Sequence, residues 1–205
     1  MTDHEDTTGQ ADTTYPLRWR AVSVLTSFPV ILSLTIVTVV LSVQGTGSTA
    51  RLFGGVLLFF FIALPGIAGA FLYLTGRVSD LEIRDRHERE PILIVGMISS
   101  LVGVYILYLI SAPEALFRLG VLQLLMLIII FWINGFWKVS VHAISWGSAL
   151  PPIFVFTPLI GVAMTPFVFL MAMSRFRLDC HTFLQVIVGF GVGALISGVL
   201  FVPFL

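Results

Sequence analysis

Apolar runs of roughly 20 residues, the length needed to cross the hydrocarbon core of a bilayer, recur along this chain and constrain its fold more than any other feature. Composition agrees with them. The 205-residue chain is 58% hydrophobic and only 11% charged, where a soluble domain of this size would carry about a quarter charged residues. The fold class expected is therefore all-α: a polytopic transmembrane helix bundle of about seven spans, with six as the alternative count. The formal net charge is zero but says little about partners, because the charges are segregated along the chain.

Four spans are clear at residues 21–43, 53–75, 91–111 and 119–137, and a last one at 184–202. Residues 141–173 form a further apolar stretch, long enough for one kinked helix or two short ones. Pro158 disfavours helix at Thr157, and Pro151, Pro152 and Pro166 weaken a single continuous helix. Two antiparallel helices of about 16 residues, near the lower limit for spanning, are expected, with the turn near 156–158. With two spans there, the loop at 77–90, the cluster at 138–142 and the cluster at 174–181 all face one side. With one, the last cluster would face away from the other two. Seven crossings collect Arg18, Arg20, Arg77, Arg84, Arg86, Arg89, Lys138, Arg175 and Arg177 on the N-terminal side and leave Arg51 and Arg118 on the other. The positive-inside rule then places the N-terminus and all three clusters in the cytoplasm of a multi-pass cell-membrane protein.

Residues 1–20 are polar and acidic, with Asp3, Glu5, Asp6 and Asp12 among Thr, Gly and Gln. They read as a disordered tail ahead of a transmembrane domain at 21–205. They lack the basic start and short apolar core of a signal peptide. Cys180 is the single cysteine, so no intrachain disulfide is possible. A cysteine-phosphatase loop would need an arginine six positions after it, where Val186 stands. Gly189, Gly191, Gly193 and Gly198 in the last span suit close helix packing.

Ionisable groups in or against a bilayer are costly unless solvated or used, so the polar clusters hold the candidate chemistry. Ser140 and His142 open the fifth helix, whose N-terminus offers free N–H groups and a partial positive charge suited to phosphate. Gln185 follows His181 by four residues, on the same helical face, where its amide can hold one imidazole nitrogen and leave the other free to attack phosphorus. Arg175 offers a planar fork for phosphate oxygens; Arg175 and Arg177 also read simply as topology-setting loop charges. The loop from Arg77 to Glu90 mixes arginines with acidic residues and reads either as a solvated, internally paired segment or as part of a phosphate site.

At these residues the chain resembles the type 2 phosphatidic acid phosphatase family, in a divergent prokaryotic form. That family's third motif is Ser-Arg, five residues, His, three residues, Asp. It is met here by Ser174, Arg175 and His181, with Gln185 in the closing position. The second motif, Pro-Ser-Gly-His, is met by Ser140 and His142, with Val139 and Val141 in place of Pro and Gly. The basic first motif aligns either on Arg77 and Arg84, with Asp85 for its proline, or on Arg86 and Arg89 ahead of Pro91, the alignment slightly preferred. The similarity covers roughly residues 77–193.

The resemblance implies a metal-independent lipid-phosphate phosphatase acting on a phospholipid or polyprenyl (di)phosphate in the bilayer. His181 would be the nucleophile, forming a phosphohistidine, and His142 the general acid for the leaving alcohol. Gln185 would orient His181, without the charge that a carboxylate supplies. Arg77, Arg86, Arg89, Lys138, Ser140 and Arg175 would bind phosphate. No cofactor and no nucleic acid is implied. No aspartate-rich motif for magnesium lies on a span, which counts against aspartate-rich prenyltransferases and CDP-alcohol phosphotransferases. The alternative, motivated by Gln185 and the altered second motif, is a non-catalytic membrane protein that binds lipid phosphates or acts as an assembly partner. A transporter is a weaker option, since the spans hold little polar content besides Asn134.

Overall fold

The computed structural model describes residues 16–79 and 88–204. Within them the chain is helical throughout, in the order α1 (Leu17–Leu25), α2 (Phe28–Gln44), α3 (Ser48–Leu58), a π-helical turn (Phe59–Ala63), α4 (Leu64–Leu74), α5 (Arg89–Leu109), α6 (Glu114–Phe136), α7 (Val141–Phe156), α8 (Pro158–Arg177) and α9 (Phe183–Phe201). Six helical segments among these residues are long and apolar enough to cross a membrane: Leu17–Gln44, Ser48–Leu74, Arg89–Leu109, Glu114–Phe136, Pro158–Arg177 and Phe183–Phe204. α7, with 16 residues, is shorter, about 24 Å at 1.5 Å per residue. The fold is that of a multi-pass membrane protein.

The expected break after 141–156 is present. Thr157 lies outside helical geometry, with φ −147° and ψ 72°, and Pro158 starts α8. α7 and α8 form an antiparallel hairpin, since Arg175 touches His142 at one end and Gly161 faces Phe154 at the other. Other boundaries differ from expectation. The first helix already starts at Leu17, four residues inside the segment read as tail, because Pro16 presets the entry geometry and Arg18 and Trp19 form its first turn. The remainder of that tail lies outside the described residues. The first span is also broken at Thr26 and Ser27, just ahead of Pro29. In the second span, Pro65 has no N–H to offer the preceding turn, and the backbone loosens there into the π turn. The Ser99 hydroxyl of α5 donates to the Phe60 carbonyl at 2.5 Å, satisfying a group that a membrane interior could not.

One contact sets the position of everything below. α7 and α9 run parallel with their backbones touching: a Cβ on Gly147 would strike the Phe190 carbonyl, and one on Gly193 the Ile144 carbonyl. Gly189 lies against the Ser140 carbonyl, and the Ser197 hydroxyl donates to the Ser148 carbonyl at 2.7 Å. Gly189, Gly193 and Ser197 thus form a small-residue seam at four-residue spacing, which lets helices approach in lipid. Gly191 and Gly198, read from sequence as part of the same packing surface, meet nothing there. Because the two helices are parallel, their N-termini lie at the same end of the bundle, with the Ser140 N–H on the Gln185 carbonyl and the Ser140 carbonyl against Gly189, so that α9 begins before the level at which α7 starts. At the opposite end Arg118 donates to Glu114 at 2.5 Å and to the Leu200 carbonyl at 2.8 Å, tying α6 to the end of α9.

Candidate functional site

The paired N-termini of α7 and α9 receive polar groups from three further elements. Ser140 is the N-cap of α7; its hydroxyl is fully buried and accepts from the Ala143 N–H at 3.3 Å. That bond fixes the first turn and with it His142, the second residue of the helix. Thr182 is the N-cap of α9 and forms a capping box with Gln185, in which Gln185 Oε1 accepts from the Thr182 N–H at 3.0 Å. Between them α8 ends in a reversal. Asp179 takes a left-handed conformation (φ 51°), its N–H bonds to the Phe176 carbonyl, and the Cys180 N–H bonds to the Arg175 carbonyl. These are the two bonds of a Schellman ending, in a position that Asp tolerates better than most residues. It turns the chain at once, so that Arg175 and His181 stay near each other.

Arg175 is 2% exposed. Its guanidinium donates to the Ser23 hydroxyl of α1, to Ser174 Oγ at 3.3 Å and to His142 Nδ1 at 3.5 Å. Arginine has no acceptor, so His142 Nδ1 is the accepting nitrogen and the neutral ring carries its proton on Nε2. That Nε2 is buried and makes no hydrogen bond of normal geometry among the described residues, although the Ser23 backbone carbonyl lies beside the ring.

His181 is the mirror case. Its Nδ1 lies 3.2 Å from Gln185 Oε1. The Thr182 N–H, which can only donate, bonds to the same atom, so that atom is the amide oxygen and His181 Nδ1 must donate to it. The proton therefore sits on Nδ1, and Nε2 carries a lone pair. Burial holds the imidazole at about 4, below its ordinary 6.5. The Gln185 hydrogen bond opposes that shift, and Arg89, Lys138 and Arg175 add to it. His181 is neutral at neutral pH. His142 and His181 are within electrostatic reach of each other.

Arg89, the first residue of α5, is buried and donates to the Val139 carbonyl at 3.4 Å. Lys138 is half-buried in the segment leading into α7. The structure therefore brings together His142, His181, Gln185, Arg175, Ser140, Arg89 and Lys138. It does not bring Arg77 to them: that side chain is exposed past the end of α4 and forms none of the cluster's described contacts. Arg86 lies outside the described residues. The loop's described ends are pinched together, with Glu88 accepting from the Ser79 N–H and hydroxyl at 2.9 and 2.8 Å.

Ser23 was not legible as a site residue. It is a lone serine in an apolar helix, and only the fold places its hydroxyl on Arg175. A cleft of about 490 Å³ opens beside the cluster, lined mainly by apolar side chains of α2, α4 and α5, with Arg89 and His142 in its wall. Comparisons with known proteins add nothing to this geometry: no family model, curated protein or solved structure matches the chain.

Proposed function

We propose that this protein is an integral membrane phosphatase that hydrolyses lipid phosphates through a phosphohistidine on His181. The observation that carries the reading is the opposed state of two neighbouring histidines, one presenting a lone pair on Nε2 and the other a proton on Nε2, among three cationic side chains. That is what a nucleophile and a proton donor for phosphoryl transfer require. The resemblance to the type 2 phosphatidic acid phosphatase family points the same way, and the position of Arg89 favours aligning the first motif on Arg86 and Arg89 rather than on Arg77 and Arg84.

In the first step the His181 Nε2 lone pair attacks phosphorus. The bond from phosphorus to the ester oxygen breaks, its electrons stay on that oxygen, and His142 Nε2 supplies the proton that makes it an alcohol, leaving an imidazolate whose charge the Arg175 guanidinium on Nδ1 offsets until water returns the proton. In the second step water attacks the phosphohistidine and gives a proton to His142. The nitrogen–phosphorus bond breaks, returning its electrons to His181, and inorganic phosphate leaves. Arg175, Arg89 and Lys138 hold the phosphoryl oxygens in both steps, where charge spreads over the equatorial atoms. Ser140 acts by fixing the first turn of α7. No step requires a metal. By the positive-inside rule the site faces the cytoplasm of a cell membrane.

Gln185 supports a second reading. It fixes the tautomer of His181 but supplies no negative charge to the imidazolium side of the reaction, so a protein that binds lipid phosphate without turning it over has the same ground-state geometry. Phosphate release by purified protein from a panel of phospholipid and polyprenyl phosphates, compared with His181→Ala, separates the two. Release that depends on His181 supports the phosphatase. Binding without release from wild type, unchanged by Gln185→Asp, leaves the binder.

A further inference from the structure

We infer that the cleft beside His142 is the seat of a single hydrocarbon chain whose phosphate end lies at Arg89 and His142, an inference that rests on the lipid-phosphate reading above. Arg89 and His142 belong both to the polar cluster and to the wall of the cleft; His181, Lys138 and Arg175 belong only to the cluster. A phosphate among the basic groups, with its ester oxygen at His142, therefore has one apolar exit close at hand.

Two irregularities of the fold open that exit. Ser27 is extended between α1 and α2 (φ −70°, ψ 159°), and Ser27 and Pro29 line the cleft. The π turn of the second span, through Phe61 and Ile62, and Pro65 also line the cleft. That span is loosely held: only 11% of its most apolar window is buried in the bundle, against 44% for the first, and α4 has no buried residue. Its wall presents Pro65, Gly66, Gly69 and Ala70, side chains too small to fill the space. A Cβ on Gly66 would meet nothing within 4 Å.

Small residues at this spacing serve elsewhere as a helix-packing seam, as on α9. Here Gly69 meets Ile92 of α5 while Gly66 faces open space among the described residues, and the space beyond ends at the buried Arg89 guanidinium and the His142 ring. A chain with an anionic end satisfies both ends of the cleft; a packing helix would leave the polar end unused. The volume fixes the number of chains. A cavity of about 150 Å³ accepts the six carbons of benzene. By that proportion this cleft holds roughly 20 carbons, one long chain and not two. A saturated chain and a prenyl chain share this chemistry.

The test uses the full-length protein in lipid nanodiscs. The probes are long-chain alkyl and prenyl phosphonates that carry a diazirine near the chain end, together with the matching uncharged alcohols. Photocrosslinks should map to the cleft wall, around Phe61, Gly69 and Leu127. Gly66→Phe should cut their yield by about tenfold, because its ring fills the space the chain needs. Gly66→Ala should behave as wild type and serve as the folding control. His181→Ala should keep the crosslinks. The chain type that labels more strongly names the occupant. Crosslinks spread over outward-facing residues such as Leu101, Phe169 and Leu195, with no effect of Gly66→Phe, overturn the proposal. Equal crosslinking in the cleft by alcohols and phosphonates keeps the chain site and overturns the phosphate reading instead.

Discussion

The chemistry proposed here depends on which nitrogen of each histidine carries a proton, and that was partly readable in advance. The spacing of His181 and Gln185 pointed to a side-chain contact. It could not show that the Thr182 N–H shares the same oxygen and thereby fixes the tautomer. The contact of Arg175 with His142 and Ser23 joins residues from three helices, and nothing local in the sequence marks it. If His181 is the nucleophile, His181→Ala should reduce phosphate release to background, EDTA should leave the wild-type rate unchanged, and Arg175→Lys should lower kcat/KM by about 10²-fold through loss of the fork. Ser23→Ala tests the positioning role of α1. It should weaken Arg175 by the worth of one charged hydrogen bond, about 1.5–3 kcal/mol, lowering kcat/KM while leaving the pH profile in place. The pH profile itself has a definite sign. His181 is held at about 4, so kcat/KM, which reports the free enzyme, should stay level as pH falls and drop only near that value. Arg89→Gln removes one of the charges that hold it down, so the acid limb should move up. A limb that stays put in Arg89→Gln would show that another group controls it. Stability follows the same linkage. Between about 6.5 and about 4 the unfolded chain takes up a proton that folded His181 refuses, so stability falls with pH across that window.

At the scale of elements, hydropathy located the six helices that are long and apolar enough to cross a membrane, because run length and polarity are properties of the sequence alone. Two features stayed hidden. The break at Ser27 and the π turn before Pro65 each sit inside an uninterrupted apolar run, where the cost of irregular backbone is met by distant partners. The Ser99 hydroxyl on the Phe60 carbonyl is one such partner. The glycines of the last span were read correctly as packing residues in kind but not in detail, since periodicity cannot say which face meets a neighbour. Gly189 and Gly193 touch α7, while Gly191 and Gly198 do not. This difference is a prediction. Gly193→Leu must push α9 off the Ile144 carbonyl, so it should lower the melting temperature in detergent, at a cost of about 1–3 kcal/mol or more, and should separate the two histidines and abolish turnover. Gly191→Leu should change neither, since its Cβ enters open space. Equal effects of the two substitutions would mean that the α7–α9 seam does not hold the site together.

For the molecule as a whole, parity decides whether the polar clusters share a face: an apolar stretch with a proline break counts as two crossings rather than one. The structure has that hairpin, with α7 and α8 antiparallel and Arg175 returned to His142. α7, with 16 residues, is shorter than its neighbours, and site-directed labelling tells a seventh crossing from a re-entrant hairpin. The single native cysteine provides one probe. Cys180 is partly exposed and lies one residue before His181, so it reports the site's own face. Thr157, at the turn of the hairpin, reports the other end. With the positive charges collected on the site's side, a membrane-impermeant maleimide added to intact cells should leave wild-type Cys180 unlabelled and should label it in inverted vesicles. Thr157→Cys in a Cys180→Ser background should show the reverse. Labelling of both positions from one side would make α7 and α8 a re-entrant pair and remove the seventh crossing. Opposite labelling with the two sides exchanged would keep the fold and turn the site outward, toward lipid phosphates of the external leaflet.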